Sequence, residues 1–296
     1  MGTIVNITVY GDSKNSADAL DAAFRRLYEI EKIFSYTDPE SELSRLNAAA
    51  PSGESVKVSD ELFSLIKEGL RCGAETDGAF DITLGALIDL WGVDGDSPRV
   101  PAQEEIEALL PYVGYENVVL DEENSEVAFL NGHIRIHLGG IVKGYAAEQL
   151  LLDMGGASVI ADLGGDMALA GTPPNKNAWR IGIADPDDAD GIVMTLEIPR
   201  EKARAAIMTS GTYQRFFEQD GRRYHHILDP KTGYPARSGI VSATVTAPLG
   251  SGAYADAFAT AIIVKGEEFA RERVPGAVLI TDGGEVIPTG GYYYED

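Results

Sequence analysis

The order of strand-like and helix-like segments is the feature that most limits how this chain can fold. The opening segment, TIVNITVY, alternates like a strand. Residues 16–35 then carry apolar side chains at helical spacing on one face, which predicts an amphipathic helix with Ser16 as its N-cap. Later segments of both kinds follow one another without the regular strand–helix–strand repeat of a parallel sheet. We therefore expect an α+β fold, with mixed, largely antiparallel sheets and packed helices.

Further elements follow from the same patterns. Helices are predicted at residues 59–74, at about 102–110, at about 142–154 where Gly155 and Gly156 end the helix, and over GAYADAFATAIIVKG. Short strands are predicted near Val118 and Ala128, and HIRIHLGG is interpreted as a strand that enters a glycine pair. Later strands are predicted over SVIADLGGDMALAG, WRIGIAD and GIVSATVTAP.

Two Leu-Gly-Gly sequences leave the domain organisation open. HLGGIV at residues 137–142 and DLGGDM at residues 162–167 both place Leu-Gly-Gly after a predicted strand. They indicate either an internal duplication with two loops side by side, or ordinary glycine turns in a chain with 33 glycines. No low-complexity linker separates two halves. We therefore predict one domain over residues 1–296, or two intimately packed subdomains.

Charge and cysteine content limit the partners that this chain can have. It carries 24 Lys and Arg against 47 Asp and Glu, a net charge of −23. A field of this sign repels nucleic acid and anionic membrane surfaces, so neither is expected as a partner. No run of about 18 apolar residues is present, so no transmembrane segment is expected. The one cysteine, Cys72, excludes an intrachain disulfide but leaves the cellular compartment open.

The sequence LGGIVKGYA is a candidate phosphate site. Gly139 and Gly140 precede a predicted helix, whose first turn holds Lys143. Helix N-termini expose unpaired N–H groups and the positive end of the dipole, and glycine lets the backbone approach a ligand closely. The sequence matches neither the Walker motif nor the dinucleotide-binding motif, and a structural glycine turn is the alternative.

The sequence ADAFATA is a candidate cation site. Asp256 and Thr260 are four residues apart, which places a carboxylate and a hydroxyl one turn apart on one helical face. Both groups offer the hard oxygen that Mg²⁺ prefers. The alternative is structural, because Asp commonly caps helices and Thr can bond to the preceding turn.

The sequence HHILDPKTGYP holds two of the four histidines, His225 and His226. Asp, Pro and Gly predict a tight turn directly after them. A histidine held by a rigid turn suits proton transfer, because its unperturbed pKa lies near neutrality. We expect His226 to be the candidate base, and His225, on the opposite side of an extended segment, to be structural or exposed.

The loop TDGAFDIT places Phe80 between polar residues. It is interpreted as the lining of a pocket for a planar ring, or as a helix-to-strand connection with a buried phenylalanine.

The motifs and their order along nearly the whole chain resemble the ApbE family of flavin transferases. The matching segments, in family order, are MGT, SYTDPESELSRLN, TDGAFDIT with LWG, VGYENVVLD, HLGGIVKGYA, DLGGDM, TSGTYQRFF, HHILDPKTGYP and ADAFATA.

The resemblance implies a function. Members of this family bind FAD with a divalent cation, usually Mg²⁺, and move FMN onto a Thr or Ser hydroxyl of an acceptor flavoprotein, releasing AMP. Some members instead hydrolyse FAD to FMN and AMP, and a flavin-binding protein without activity is the third alternative. Acceptors are redox-complex subunits or extracellular flavoproteins. Most relatives are exported and many are lipid-anchored, so a periplasmic or extracytoplasmic location is expected, with the cytoplasm as the alternative; no signal peptide is evident here.

The resemblance also implies roles for individual residues. Asp256, Thr260 and the main-chain carbonyl of Val142 match metal ligands, and His226 and Asp256 match catalytic residues. The residues expected to bind the cofactor are Met1, Thr3, Ser41, Glu42, Asn47, Gly78, Phe80, Asp81, Thr83, Gly139, Gly140, Lys143, Ser210 and Tyr213. His137 departs from the family, which commonly has Asp there. This change implies a different cation preference. Alternatively, His137 makes a hydrogen bond that supports a residue which itself binds the cation.

Overall fold

The structure is a computed structural model that describes residues 2–10, 16–93, 95–152, 154, 157–173, 177–290 and 294–295. Its helices are α1 (Ser16–Phe34), α2 (Glu42–Ala49), α3 (Asp60–Glu75), α4 (Gly85–Trp91), α5 (Gln103–Leu109), α6 (Val142–Gln149), α7 (Gly252–Lys265) and α8 (Glu267–Arg273). Its strands are β1 (Val5–Tyr10), β2 (Val56–Lys57), β3 (Val118–Asp121), β4 (Glu126–Phe129), β5 (Ser158–Leu163), β6 (Met167–Ala170), β7 (Ala178–Asp185), β8 (Asp188–Pro199), β9 (Arg204–Gly211), β10 (Phe216–Gln219), β11 (Arg222–His225), β12 (Ile240–Pro248), β13 (Ala277–Thr281), β14 (Val286–Pro288) and β15 (Tyr294–Glu295).

A seven-stranded sheet forms the centre, in the order β1-β5-β6-β9-β12-β13-β14, and every neighbouring pair is antiparallel. Side chains alternate between its two faces. Val245 on β12 packs into the core formed with helix α7, which includes Phe258. Ile207 on β9 faces the other way, into a core shared with Trp179 of β7. The sheet therefore lies between a helical layer and the β7–β8 hairpin.

A smaller apolar cluster holds the part of the chain that contains the histidine pair. Trp91 of α4 and Ile106 of α5 are buried in it together with Leu228. Trp91 also packs against Tyr224 of β11, with ring centroids 5.6 Å apart, and its Nε1–H donates to the Gly233 carbonyl at 2.8 Å. These contacts attach the β10–β11 hairpin and the turn after it to α4 and α5.

The predicted α+β fold class is confirmed, and several predicted elements lie where expected. Helix α3 begins after Ser59, whose Oγ accepts the Leu62 N–H at 3.2 Å, as an N-cap does. Helices α1, α5 and α7 and strands β3 to β7 and β12 also match predicted segments.

The predicted strand over HIRIHLGG is wrong. Ile134, Ile136 and Leu138 are buried in alternation, which produces the strand-like pattern. Their backbone, however, finds other partners than a neighbouring strand: the Ile136 N–H donates to Asn47 Oδ1 at 2.8 Å, and the His137 N–H donates to the Ile82 carbonyl at 2.7 Å. The segment therefore runs extended into the first Leu-Gly-Gly loop without joining a sheet.

Helix α6 is shorter than predicted. It ends at Gln149, and residues 150–152 continue as turns; the predicted terminators Gly155 and Gly156 lie outside the described residues. The second Leu-Gly-Gly forms the turn between β5 and β6, as its position after a strand predicts. Across the described part of the chain, no helix is both long and apolar enough to cross a membrane.

Candidate functional site

Two glycines bring helices α6 and α7 into backbone contact. A Cβ atom at Gly144 would lie 2.1 Å from the Gly252 carbonyl oxygen, and one at Gly252 would lie 2.5 Å from the Gly144 carbonyl oxygen. Only glycine permits this approach. It carries the start of α6 to α7, where the Gly144 N–H donates to Asp256 Oδ2 at 3.0 Å. The first turn of α6 and its positive dipole end therefore face a carboxylate.

A buried cluster of three charged groups, Asp256, Asp166 and Lys143, forms at this crossing. Asp256 is 1% exposed and Asp166 is fully buried, while the Lys143 side chain keeps 19% of its exposure. Lys143 Nζ contacts Asp166 Oδ2, and the Thr209 N–H donates to Asp166 Oδ1 at 2.9 Å. Asp166 follows the second Leu-Gly-Gly and Lys143 follows the first, so the two loops lie side by side.

The electrostatics of the cluster favour additional positive charge. Burial raises the pKa of Asp256 to about 7, and the Asp166 carboxylate raises it too, against the effect of Lys143. Burial also raises the pKa of Asp166, although Lys143 opposes this. Burial lowers the pKa of Lys143, but attraction to both carboxylates outweighs it and leaves that pKa above its usual value. Negative charge is therefore incompletely compensated here.

Thr260 extends the cluster along α7. Its Oγ1 lies 3.0 Å from the Ser210 hydroxyl. A Cβ atom at Gly140 would lie 3.2 Å from Thr260 Oγ1 and 3.2 Å from Phe80 Cε2. The first glycine loop therefore packs closely against both the Thr260 hydroxyl and the Phe80 ring.

The two neighbouring histidines have different surroundings. His225 is buried, its Nε2 lies 2.9 Å from the Ala236 carbonyl, and burial lowers its pKa, so it is structural. His226 is half-buried, and its Nδ1 lies 3.2 Å from the Arg215 carbonyl. A carbonyl only accepts, so Nδ1 carries a proton and Nε2 is the nitrogen that can take one up.

Arg215 links His226 to the charged cluster. Its carbonyl holds the His226 ring, and its positive charge acts on Lys143, lowering the pKa of that amine. Its Nη2 also lies 3.5 Å from the Gly2 carbonyl. Thr3 lies against the second glycine loop, since a Cβ at Gly164 would be 2.0 Å from Thr3 Oγ1. The predicted site residue Met1 lies outside the described residues.

Several residues predicted to lie around the flavin make hydrogen bonds within the protein. Ser41 is buried and caps α2, accepting the Ser44 N–H at 3.0 Å. The Glu42 carboxylate accepts from the N–H and the hydroxyl of Ser59 at 2.6 and 2.7 Å. Asn47 bonds the backbone of Ile136 in both directions at 2.8 Å. Asn47 therefore holds the segment that leads into the first glycine loop, whereas Ser41 and Glu42 hold the start of α2 and its contact with α3.

The loop TDGAFDIT is built in a similar way. Asp81 accepts the Thr83 N–H at 2.8 Å and the Tyr115 N–H at 2.8 Å. Thr83 in turn accepts the Gly114 N–H at 2.8 Å. Gly78 has a φ of 73°, which favours glycine, and Phe80 is buried beside Gly140. Burial raises the pKa of Asp81, which its hydrogen bonds oppose.

His137 and Tyr213 each cover a glycine. The His137 Nδ1 accepts the Gly139 N–H at 3.3 Å, and a Cβ at Gly139 would lie 2.4 Å from His137 Cε1. The His137 ring meets the Tyr36 ring edge-on, with centroids 4.7 Å apart. Tyr213 lies over Gly211, where a Cβ would be 2.5 Å from its ring. His137 therefore supports the glycine loop.

Comparison with known proteins decides the family. The ApbE family model matches residues 1–277. This chain belongs to the ApbE family. The FAD:protein FMN transferase of Escherichia coli (strain K12) is 31% identical over 301 residues, covering 98% of this chain and 84% of its own. The enzyme of the same name from Treponema pallidum is 33% identical, covering 90% and 77%.

Solved ApbE structures share the fold. The ApbE protein of Thermotoga maritima superposes with a TM-score of 0.87 at 36% identity, covering 97% of this chain and 94% of its own. The flavin transferase ApbE of Vibrio cholerae superposes with a TM-score of 0.81 at 30% identity, covering 100% and 94%. The family and the enzyme class predicted from the motifs are confirmed.

The ApbE site of this chain has the donors that a hard cation needs. In the part of the chain that the structure describes, no three His, Cys, Asp or Glu side chains form a metal-binding group. A cation between α6 and α7 would instead use Asp256, Thr260 and a main-chain carbonyl such as that of Val142, an all-oxygen set that suits Mg²⁺. The raised pKa values of the buried carboxylates fit this, because a cation would compensate their charge.

Asp166 and Arg215 are functional candidates that the motifs did not single out. Asp166 lies within DLGGDM. Its position directly after the second glycine pair is the one sequence feature that could have indicated a functional role. Arg215 lies within TSGTYQRFF, where no spacing indicates that it reaches the histidine and the lysine.

Proposed function

We propose that this enzyme transfers FMN from FAD to a Thr or Ser hydroxyl of an acceptor flavoprotein and releases AMP, with Mg²⁺ or another divalent cation as cofactor. The proposal is supported by relatives whose names state FAD:protein FMN transfer. The observation that carries it is the buried, undercompensated cluster of Asp256, Asp166 and Lys143 at the start of α6, beside Thr260.

The reaction replaces a phosphoanhydride bond of FAD with a phosphoester bond to the acceptor. The acceptor hydroxyl oxygen bonds to the phosphorus of the FMN half, the bond from that phosphorus to the bridging oxygen breaks, and AMP leaves with the bridging oxygen. The hydroxyl proton passes to a base. A bound divalent cation supplies charge neutralisation on the pyrophosphate, typically worth several kcal/mol.

The start of α6 is suited to bind the pyrophosphate. The glycine loop brings backbone N–H groups near, because Gly139 and Gly140 leave no side chain in the way. Lys143 adds a positive charge, because its two carboxylate neighbours keep its amine protonated. Asp256 and Thr260 would hold the cation on the α7 side.

His226 is placed to act as the base. Its Nδ1–H donates to the Arg215 carbonyl, which fixes the tautomer and directs proton uptake to Nε2. The ring is half-buried and attached to a turn that Trp91 holds through Gly233. General-base help of this kind contributes about 10²–10⁴-fold.

Mass spectrometry of an acceptor flavoprotein domain after incubation with FAD and Mg²⁺ tests the proposal. A covalent FMN adduct together with released AMP is the expected result, and a chelator should remove both. Free FMN and AMP without an adduct on any acceptor would show a FAD pyrophosphatase instead. No AMP with any divalent cation would show a flavin-binding protein without activity.

A further inference from the structure

A cavity of about 690 Å³, which we call the basal cavity, lies at the end of the seven-stranded sheet opposite the candidate site. It lies where β5 and β9 begin and where β6 and β12 end. Asp166, after β5, and Ser210, near the end of β9, belong to the other end of the sheet. Five residues of β9 separate Ala205, in the cavity, from Ser210, which is about 17 Å along a strand. The basal cavity is therefore separate from the candidate site.

The floor of the basal cavity is apolar. Val159 and Ala247 line it from the sheet, and both are buried. Leu151 and Met154 line it from the segment that follows helix α6, and they are buried as well. Leu152, between them, also lines the cavity and is 69% exposed. Pockets of about 300–1,000 Å³ with mostly apolar walls are typical of sites for small ligands, so the cavity has the size and lining of such a site.

The side of the basal cavity next to β9 is cationic. Arg200, Lys202 and Arg204 line it, and all three are exposed. The segment REKAR at residues 200–204 carries three cations and one anion, in a chain whose net charge is −23. It is therefore a local positive patch on a negative protein. Arginine binds carboxylates through two parallel hydrogen bonds, which favours an anionic group as the ligand here.

Backbone hydrogen bonds hold the cationic side in place. The Arg200 N–H donates to the Asn177 carbonyl, just before β7, at 3.0 Å, and the Ala203 N–H donates to the Arg200 carbonyl at 3.2 Å. The Leu249 N–H, just after β12, donates to the Arg204 carbonyl at 3.1 Å. The backbone that carries the cations is thus attached to the segments beside β7 and β12, so a ligand would not have to order it.

The two sides of the cavity indicate how a ligand would lie. In the sheet order β5-β6-β9-β12, Val159 on β5 and Ala205 on β9 are two strand spacings apart, about 10 Å. The carbonyl end of α6, which is the negative end of its dipole, lies next to Leu151 and disfavours an anion there. A ligand with one anionic group would therefore place it at the arginines, with its apolar part towards Leu151 and Met154.

We propose that the basal cavity binds the free anion of a single-chain fatty acid, with the carboxylate at Arg200 and Arg204 and the alkyl chain against Leu151 and Met154. An anionic head group on an alkyl chain also occurs in bilayer lipids, but the net charge of −23 repels an anionic membrane surface. The inference does not depend on FMN transfer. It adds a ligand-binding site at the end of the sheet away from the candidate site.

Calorimetric titration of the full chain with three soluble ligands, each below its micelle concentration, tests this inference. Dodecanoate carries both the anionic head and the long chain. Dodecyltrimethylammonium carries the same chain with a cationic head, and butanoate carries the anionic head on a short chain. Binding is measured without FAD, so that it does not depend on catalysis. Co-sedimentation with phosphatidylglycerol vesicles tests a bilayer as the source of the ligand.

We expect dodecanoate to bind about tenfold or more tightly than either other ligand, with the negative heat-capacity change that apolar burial produces. Arg200→Glu/Arg204→Glu should weaken dodecanoate binding by about tenfold or more, and Arg200→Lys/Arg204→Lys should retain most of it. Leu152→Asn, at an exposed position, should weaken it several-fold. Arg25→Glu/Lys57→Glu, at exposed cations on α1 and β2, is the matched control: it changes the net charge equally and should leave binding unchanged.

No binding of dodecanoate, equal binding of dodecanoate and the dodecyl cation, or wild-type affinity of Arg200→Glu/Arg204→Glu for dodecanoate would overturn the inference. Equal weakening by the control variant would do so too. Binding to the vesicles without binding of free dodecanoate would show a membrane-docking surface instead. Urea unfolding midpoints of the variants that match the wild type exclude loss of the fold as the cause of weaker binding.

Discussion

Replacing Gly144 with alanine tests the contact on which the site depends. In a helix interior, Gly→Ala ordinarily stabilises by about 0.8–1.0 kcal/mol. Here the new Cβ would lie 2.1 Å from the Gly252 carbonyl oxygen, whereas ordinary contact begins at 3.4 Å. Helices α6 and α7 must then separate by roughly 1 Å, at a cost of about 1–3 kcal/mol for overpacking. We therefore expect net destabilisation by about 1–2 kcal/mol, opposite in sign to the helix propensity.

The same shift should reduce activity. A separation of that size lengthens the 3.0 Å bond from the Gly144 N–H to Asp256 beyond hydrogen-bonding distance. Misplacement by about 1 Å costs on the order of 10²-fold in rate. Urea unfolding at constant m value gives the stability change, and AMP release from FAD gives the rate.

Gly73→Ala in α3 is the control. The atoms nearest to a Cβ there belong to the Tyr115 side chain, at 3.0 Å and beyond, so we expect a smaller effect on stability and none on the cation site. Unchanged or increased stability of Gly144→Ala, together with unchanged AMP release, would refute the account of the helix crossing.

Three further predictions concern the site. His226→Ala should lower FMN transfer by about 10²–10⁴-fold while equilibrium FAD binding stays within a few fold; transfer at the wild-type rate would remove His226 as the base. Trp91→Phe should lose the hydrogen bond to Gly233 and part of the buried ring contacts, costing about 1–3 kcal/mol in urea unfolding and lowering transfer; an unaltered unfolding midpoint would contradict that role. The folded-state pKa of Asp256, about 7, is above its unfolded value of 3.8, so the folded state binds the additional proton. Without divalent cations, stability should therefore fall as the pH rises from about 4 to 7, by up to ~4 kcal/mol, and Asp256→Asn should flatten this dependence. A wild-type slope retained in the variant would exclude Asp256 as its source.

The sequence predicted the elements whose patterns are local. Helix α3 has a clear apolar face and helix α7 is a long, mostly apolar segment, and Asp256 and Thr260 share one face of α7 by spacing alone. Strand β9 was not predicted, because RAAIMTSG is buried on both faces and therefore does not alternate. The segment before Gly139 alternates but is no strand, because Asn47 and Ile82 bind its backbone from elsewhere in the chain.

The candidate site shows the same division between local and long-range effects. His226 was identified from the turn that follows it, which is a local signal. Asp166 was not identified, because its role depends on Lys143 and Thr209, which are distant in the sequence. Ser41 and Asn47 were predicted from the family motif, but their hydrogen bonds to other segments are visible only in the fold.

Equilibrium FAD binding to wild type and to Asp256→Asn, each with and without Mg²⁺, tests the central claim most directly. If Asp256 holds a cation against the pyrophosphate, Mg²⁺ should tighten FAD binding to the wild type by tenfold or more and leave the variant unchanged. An equal effect of Mg²⁺ on both proteins would show that the cation binds elsewhere.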